Sequence, residues 1–228
     1  MPSESAVKRA ALQPERSSTR KTPQRKPSMR KVERILDAAN RLLDDYAVTD
    51  VSIAMLAEHS GVSRTTIYDF FPSVMAVYEQ VAQKHVLESY DFMLRYVGQR
   101  QPVALFDVVD TMVDAAVAYF NGNTPARKTM LGTGALEMHL IVEDFEGLCA
   151  GMFHQLYRGD WDFEPAGLRD PFRNLATIQS ALYTNSVQRY GIITDYMAGQ
   201  VKAATHGYLR EVLSEQGHKA RHGEGTAA

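Results

Sequence analysis

From Arg30 onward the chain repeats apolar residues at spacings of three and four. Val32, Ile35, Leu36, Ala39, Leu42, Leu43 and Tyr46 form one stripe, with Arg34, Asp37, Arg41, Asp44 and Asp45 off it. That period predicts an amphipathic first helix. After a short break at 47–51, Ser52 is placed to cap a second helix from Ile53 to about His59. Ser60-Gly61-Val62 interrupts it. Ser63 then caps a third helix to about Phe70, which Pro72 closes, because the residue before a proline disfavours the helical region. Longer helical patterns follow: Ser73 to about Val97, ended by Gly98; Pro102 to about Phe120, ended by Asn121-Gly122-Asn123; and Ala135 to Tyr157, after a short segment from Pro125 to Gly132-Thr133-Gly134. Beyond the acidic loop 159–165, two last helices are expected near 168–190 and 192–214. No strand-like alternation competes and no internal repeat is visible. The fold expected is all-α.

Composition places the chain among ordinary globular proteins: 228 residues, 45 % hydrophobic and 23 % charged. No apolar run approaches the ~18 residues of a membrane span, and the N-terminus lacks the apolar core of a signal peptide, so a cytoplasmic location is expected. The single cysteine, Cys149, excludes an intrachain disulfide and a multi-cysteine zinc site. The net charge of −2 hides a division. Residues 1–31 carry nine basic residues against Glu4 and Glu15, whereas the remainder has 16 basic and 25 acidic residues. A basic leader on an acidic body suits an arm that seeks polyanions, and equally a solvated tail. The leader is too polar to offset its ordering entropy, so residues 1–28 are expected to be disordered in isolation. The domain division expected is 29–73, 74–214 and a disordered tail at 215–228.

The three short helices carry the chemistry. Two helices crossing at a steep angle need a small residue where they approach, a glycine in the turn, and an apolar anchor that holds the second helix while its outer face stays free. Ala57, Gly61 and Ile67 meet those demands at offsets of 0, 4 and 10, with Leu56 and Val62 adding core contacts. This pattern predicts a helix-turn-helix unit whose second helix enters the major groove of double-stranded DNA.

The runs Ile35-Leu36-Asp37-Ala38-Ala39, Leu56-Ala57-Glu58-His59-Ser60-Gly61-Val62-Ser63 and Thr66-Ile67-Tyr68-Asp69-Phe70-Phe71-Pro72-Ser73 resemble the DNA-binding domain of the tetracycline-repressor (TetR) family. The likeness covers about residues 30–78; beyond it only helix number, helix lengths and total length agree. The resemblance implies a C-terminal domain that binds a small-molecule effector, a homodimer built on the last two long helices, and a repressor released from its operator by ligand.

By position, Ser63, Arg64, Thr65 and Thr66 open the recognition helix. Arg64 suits guanine O6 and N7, and the threonines suit base edges or a thymine methyl. Tyr68 stands where the family places a phosphate-contacting tyrosine, with plain core packing the alternative. Ser52 either caps its helix alone or also donates to a phosphate. Two positions depart from the family's pattern: Val74 replaces the usual phosphate-binding lysine, and Phe70 the usual histidine or tyrosine. Asp69 adds a carboxylate. That shortage of cations assigns the leader a task, with Arg20, Lys21, Arg25 or Lys26 reaching a minor groove.

The helices near 102–120 and 135–157 are apolar around most of their circumference, as internal helices are. They line a cavity or fill a solid core, and both readings stay open. The candidates for an effector pocket are Met112, Phe120, Met138, His139, Val142 and Tyr183; for His139 a satisfied core histidine is the alternative. Cys149 reads as a buried apolar group. Met197, Val201, Ala204, Tyr208 and Val212, with Leu175, Ile178, Leu182 and Val187, are expected to form a helix-pair interface, either with a second subunit or within one chain. Catalysis finds no support: Glu-x-x-His occurs once, at Glu215–His218, and there is no nucleophile elbow, phosphate loop or His-Glu-x-x-His. No catalytic residue, metal site or cofactor is expected. The rival reading is a DNA-binding dimer controlled by a protein partner, or an activator in place of a repressor.

Overall fold

The computed structural model describes residues 26–102, 104–132, 136–156 and 171–223, with side chains for all of these except 26–27, 136–140, 155–156 and 213–223. Every regular element among them is helical. In chain order these are α1 (Lys26–Asp45), a 3₁₀ turn (Val48–Asp50), α2 (Ile53–Ser60), α3 (Arg64–Phe70), α4 (Val74–Arg100) and α5 (Leu105–Gly122). A single α turn (Thr124–Ala126) runs into a π-helical stretch (Arg127–Gly132), followed by α6 (Leu136–Leu156), α7 (Pro171–Tyr190) and α8 (Asp195–Gly223).

The helices group into two compact units. The first is the chain up to Asp91 together with Tyr119–Phe145; the second is Phe92–Ala118 together with the chain from Glu146. In the first unit α1 packs on α2, α2 on α3, and Thr124–Ala126 on α1. The stripe on α1 is buried at Ile35, Ala39, Leu42 and Leu43, joined by Ala38. A fully buried Leu or Ile contributes about 1.5–3 kcal/mol, so this face anchors the unit. Tyr46 departs from the stripe. It lies past the helix end and is exposed, with its carbonyl accepting from Lys128.

In the second unit α7 packs on α8 through a turn held by Ser186, whose hydroxyl donates to Ile192 O at 2.9 Å and accepts from Thr194 N–H at 3.1 Å. α5 and α8 run antiparallel, joined rung by rung. Asp114 pairs with Lys202 at 2.6 Å, Asp110 accepts from His206 at 2.8 Å, and the Arg210 guanidinium lies over the Phe106 ring. Phe153 stacks on Phe172 between α6 and α7, and Thr177 donates to Glu146 at 2.7 Å.

Two helix ends differ from their expected positions. The first helix begins at Lys26, ahead of the periodic stripe expected from Arg30, and Pro27 is compatible with its first turn, where a missing N–H costs nothing. The last helix continues to Gly223, past the end near 214 expected from its apolar period. Once a helix is nucleated by packing, each added residue brings a hydrogen bond, and single glycines do not stop it. Of the expected interface set, Leu175, Val187 and Val201 are buried within the single chain. No helix among the described residues is long and apolar enough to cross a membrane.

Candidate nucleic-acid interface

The first unit builds a polar edge from local rules. Ser52 caps α2, its hydroxyl accepting from Met55 N–H at 3.3 Å. At the end of α2 the chain must reverse. Gly61 does so at φ +61°, a left-handed conformation that glycine adopts without the clash of a Cβ. The buried Ser60 hydroxyl supports the turn by accepting from Val62 N–H at 3.2 Å. Ser63 then starts α3, accepting from Thr66 N–H at 3.3 Å and donating to Thr66 Oγ1 at 2.9 Å.

Ile67 is 0 % exposed and holds α3 to the unit from below. Phe71 closes the helix, buried, with its N–H donating to Ile67 O at 2.8 Å. Arg64, Thr65, Tyr68 and Asp69 lie on the opposite side and are exposed. Positions three and four apart share a helix face, so these four side chains form one surface. Tyr68 is 49 % exposed, which removes plain core packing as its role. Thr66 is half-buried. With the Ser63 hydrogen committed to Thr66, the outward donors of the edge are Arg64, Thr65, Tyr68 and the remaining hydroxyl hydrogen of Thr66.

Sequence reasoning missed a cation at this edge. Arg34 of α1 is exposed, and its guanidinium stands so near the turn that a Cβ on Gly61 would meet it at 2.6 Å. The pairing joins residues far apart in sequence, and the helical period alone reports only that Arg34 faces away from the core. Two further links act on α1 from behind. Lys128 donates to Leu43 O at 2.6 Å and to Tyr46 O at 3.0 Å, covering carbonyls that the helix end leaves open. His85, buried on α4, bonds Asn40 Oδ1 through Nε2 at 2.8 Å and Glu88 through Nδ1 at 3.0 Å, with the Tyr119 hydroxyl beside it. Burial holds the His85 pKa below its ordinary value, against an upward pull from Glu88.

The other candidates fall as follows. Arg20, Lys21 and Arg25 lie outside the described residues, and Lys26 opens α1 with its side chain outside the description. Val74 is half-buried at the start of α4, whose first turn Ser73 caps through Ala76 N–H at 3.1 Å. Met112 and Tyr183 are buried in the second unit; Phe120 is buried and Val142 half-buried in the first. The side chains of Met138 and His139 lie outside the description. Cys149 is buried, and burial pushes its thiol up to about 12, so it is no nucleophile. No cluster of three or more His, Cys, Asp or Glu among the described residues is arranged to hold a metal ion.

Residues 35–81 match the family model of bacterial regulatory proteins, tetR family. The fold is similar to that of a TetR-family transcriptional regulator from Streptomyces coelicolor, at 17 % identity and a TM-score of 0.59, covering 80 % of this chain and 99 % of that one. It is also similar to the fatty acid degradation regulator FadR from Bacillus halodurans, at 15 % identity and a TM-score of 0.57, covering 83 % and 97 %. The TetR family repressor AlkX from Dietzia sp. matches at 14 % identity and a TM-score of 0.51, covering 83 % and 98 %. At these identities the likeness is one of fold. No curated protein sequence matches the chain.

Proposed function

We propose that this chain is a TetR-family transcriptional regulator, as the family match of residues 35–81 and the shared fold support, and that it is a dimeric, cytoplasmic repressor released from its operator by a small molecule. Residues 29–73 read DNA, and residues 74–214 bind the effector and form the dimer. The observation that carries this reading is the division within α3: Ile67 is fully buried, while Arg64 and Thr65 on the same two turns are exposed. An anchored helix with a free polar N-terminal edge is what major-groove docking requires.

Arg64 reads guanine through a bidentate contact, and Thr65 and Thr66 meet neighbouring bases. Ser52, Tyr68 and Arg34 hold phosphates and fix the register. Arg20, Lys21, Arg25 and Lys26 add contacts along the duplex and make binding salt-dependent. Dimerisation has a free surface to use. Among the described residues, α8 leaves one side uncovered at Tyr196, Gly199, Ala203 and Gly207, beside exposed Tyr190 and Ile192 at the α7–α8 turn. Small residues let helix axes approach closely, and the aromatic groups supply apolar area. We place the effector pocket in the second unit, where Met112 and Tyr183 are buried.

Selection of bound sequences from random DNA with the full-length protein tests the reading. A two-fold motif is expected, with half-sites about 34 Å apart or a multiple of that. Arg64→Ala should weaken operator binding about 5- to 150-fold and relax one base position. Recovery of the same motif at the same affinity by wild type and Arg64→Ala would show that α3 does not read bases.

A further inference from the structure

α7 presents one inward face, formed by Leu175, Ala176, Gln179, Ser180, Tyr183, Ser186 and Val187. Its polar groups are treated unequally. Ser186 both donates and accepts, and on the helix's outer side Thr177 donates to Glu146. The Gln179 amide nitrogen and the Tyr183 hydroxyl are fully enclosed and have no hydrogen-bond partner among the described residues. Both residues are more than nine-tenths buried. Native proteins rarely leave such groups unpaired, because each has lost its bonds to water and gained nothing. These two are also neighbours: positions 179 and 183 are one turn apart on the same face, with Cβ atoms roughly 5–6 Å from each other.

The chemistry that would satisfy them follows from the groups around them. Burial raises the Tyr183 pKa well above its ordinary value, and Cys149 and Asp114 raise it further, so the phenol keeps its hydrogen and acts as a donor. The amide nitrogen of Gln179 is a donor in every state. Two donors side by side call for an acceptor. The carboxylate whose field reaches Tyr183 disfavours an anion, although Lys202 partly neutralises Asp114 at 2.6 Å. The remaining neighbours on the face, Leu175, Ala176 and Val187, are apolar.

We infer that Gln179 and Tyr183 are the polar anchors of an effector site and together hold the carbonyl oxygen of an uncharged, otherwise apolar molecule such as a ketone, ester or lactone. The biological consequence rests on the ligand-released reading above; the binding itself does not. Both anchors lie in the second unit, apart from the residues that read DNA.

The test uses full-length protein and two uncharged ketones of different shape, the fluorescent naphthyl ketone Prodan and 2-undecanone, with undecanoate as the anionic comparison. Wild type should bind at least one ketone saturably and more tightly than undecanoate. Tyr183→Phe and Gln179→Leu keep the volume and delete one donor each, so each should bind the ketone about tenfold more weakly, the equivalent of one buried hydrogen bond. Bound Prodan should emit further to the blue in Tyr183→Phe, because its carbonyl loses a donor. Without ligand, neither variant should melt below wild type, since the deleted groups bond to nothing among the described residues. A merely structural pair would behave in the opposite way. Equal ketone affinity in all three proteins, a lower melting temperature for ligand-free Tyr183→Phe, tighter binding of undecanoate, or no ketone binding to wild type would each overturn the inference. The two readings separate on DNA. Ketone binding that depends on both anchors but leaves operator affinity unchanged supports the anchors and defeats ligand release. Release by a ketone that is equal in wild type and Tyr183→Phe supports ligand release and defeats the anchors.

Discussion

Lys128→Met tests how α1, which supports the reading head, is held. The ammonium of Lys128 lies 2.6 Å from Leu43 O and 3.0 Å from Tyr46 O. These are carbonyls at and just past the end of α1, where no intrahelical N–H reaches them. A hydrogen bond with one charged partner contributes about 1.5–3 kcal/mol. Tyr46 is exposed, so water replaces most of the bond to its carbonyl, and the favourable placement of a cation at a helix C-terminus is small at a half-exposed site. Methionine preserves the apolar stem and its packing. The net loss is then one well-formed bond and part of another, about 2 kcal/mol. For a chain of this size each kcal/mol moves the melting temperature by about 2–4 °C. Scanning calorimetry should therefore show Lys128→Met melting about 4–8 °C below wild type. Lys128→Arg should recover much of the loss, since a guanidinium fork can serve two carbonyls at once. If Lys128→Met melts within about 1 °C of wild type, the clasp on α1 contributes nothing, and the accounting from distance and charge is wrong.

Three further outcomes follow from the same geometry. Ile67→Ala should cost about 2–5 kcal/mol in urea unfolding and abolish operator binding, because α3 loses its only fully buried anchor. His85, facing Glu88 and Asn40 with Lys84 one residue away, has its folded pKa lowered below the ordinary 6.5 by burial. The unfolded chain binds the proton first, so the His85 contribution is complete above pH 6.5 and is lost as pH falls below it; the stability difference between pH 7.5 and 5.5, conditions chosen roughly one unit to either side, should shrink in His85→Gln, and an unchanged difference would contradict the assignment. A chain shortened to begin at Ser28 should give a flatter plot of operator affinity against salt than full-length protein, by about 0.9 in slope for each phosphate that the leader neutralises. Identical slopes would leave the basic leader without a part in binding.

The helix-turn-helix was legible because its requirements are local. Two serine caps, a glycine at positive φ and an isoleucine anchor all lie within residues 52–67, and each stands where its residue type and spacing require. The interactions that support it from behind were not legible. Lys128 reaches Leu43 across 85 positions and His85 reaches Asn40 across 45, and helical period says nothing about which distant polar group meets a helix end. The same limit kept the role of the last two helices open. Periodicity showed that Val201, Leu175 and Val187 share apolar faces, but an apolar face buried by a neighbour in the same chain looks identical to one that waits for a second copy. The orphaned donor of Gln179 was equally invisible, since an unsatisfied group is defined by what surrounds it. Tyr183 was singled out as a pocket residue, yet only the enclosure of its hydroxyl explains why it should be one.

The packing around α1 bears on how regulation can operate. Within its own compact unit α1 is packed on α2, bonded to α4 through Asn40 and His85, touched by Thr124–Ala126 and clasped by Lys128. A displacement of α1 against any one of these partners breaks bonds to the others, and α3 is fastened to the same assembly by Ile67 and by its packing on α2. The reading edge therefore moves with its support rather than against it. Under the ligand-released reading, an effector gains nothing by distorting α3, which would cost the anchor and both caps. It acts by favouring one spacing of two intact heads over another. A coupling of about 1–3 kcal/mol suffices for a roughly five- to 150-fold change in operator affinity, well below the cost of unseating Ile67. The cheaper path is the rigid one, so an effector-bound protein should keep the α1–α3 packing seen here while losing its grip on the operator.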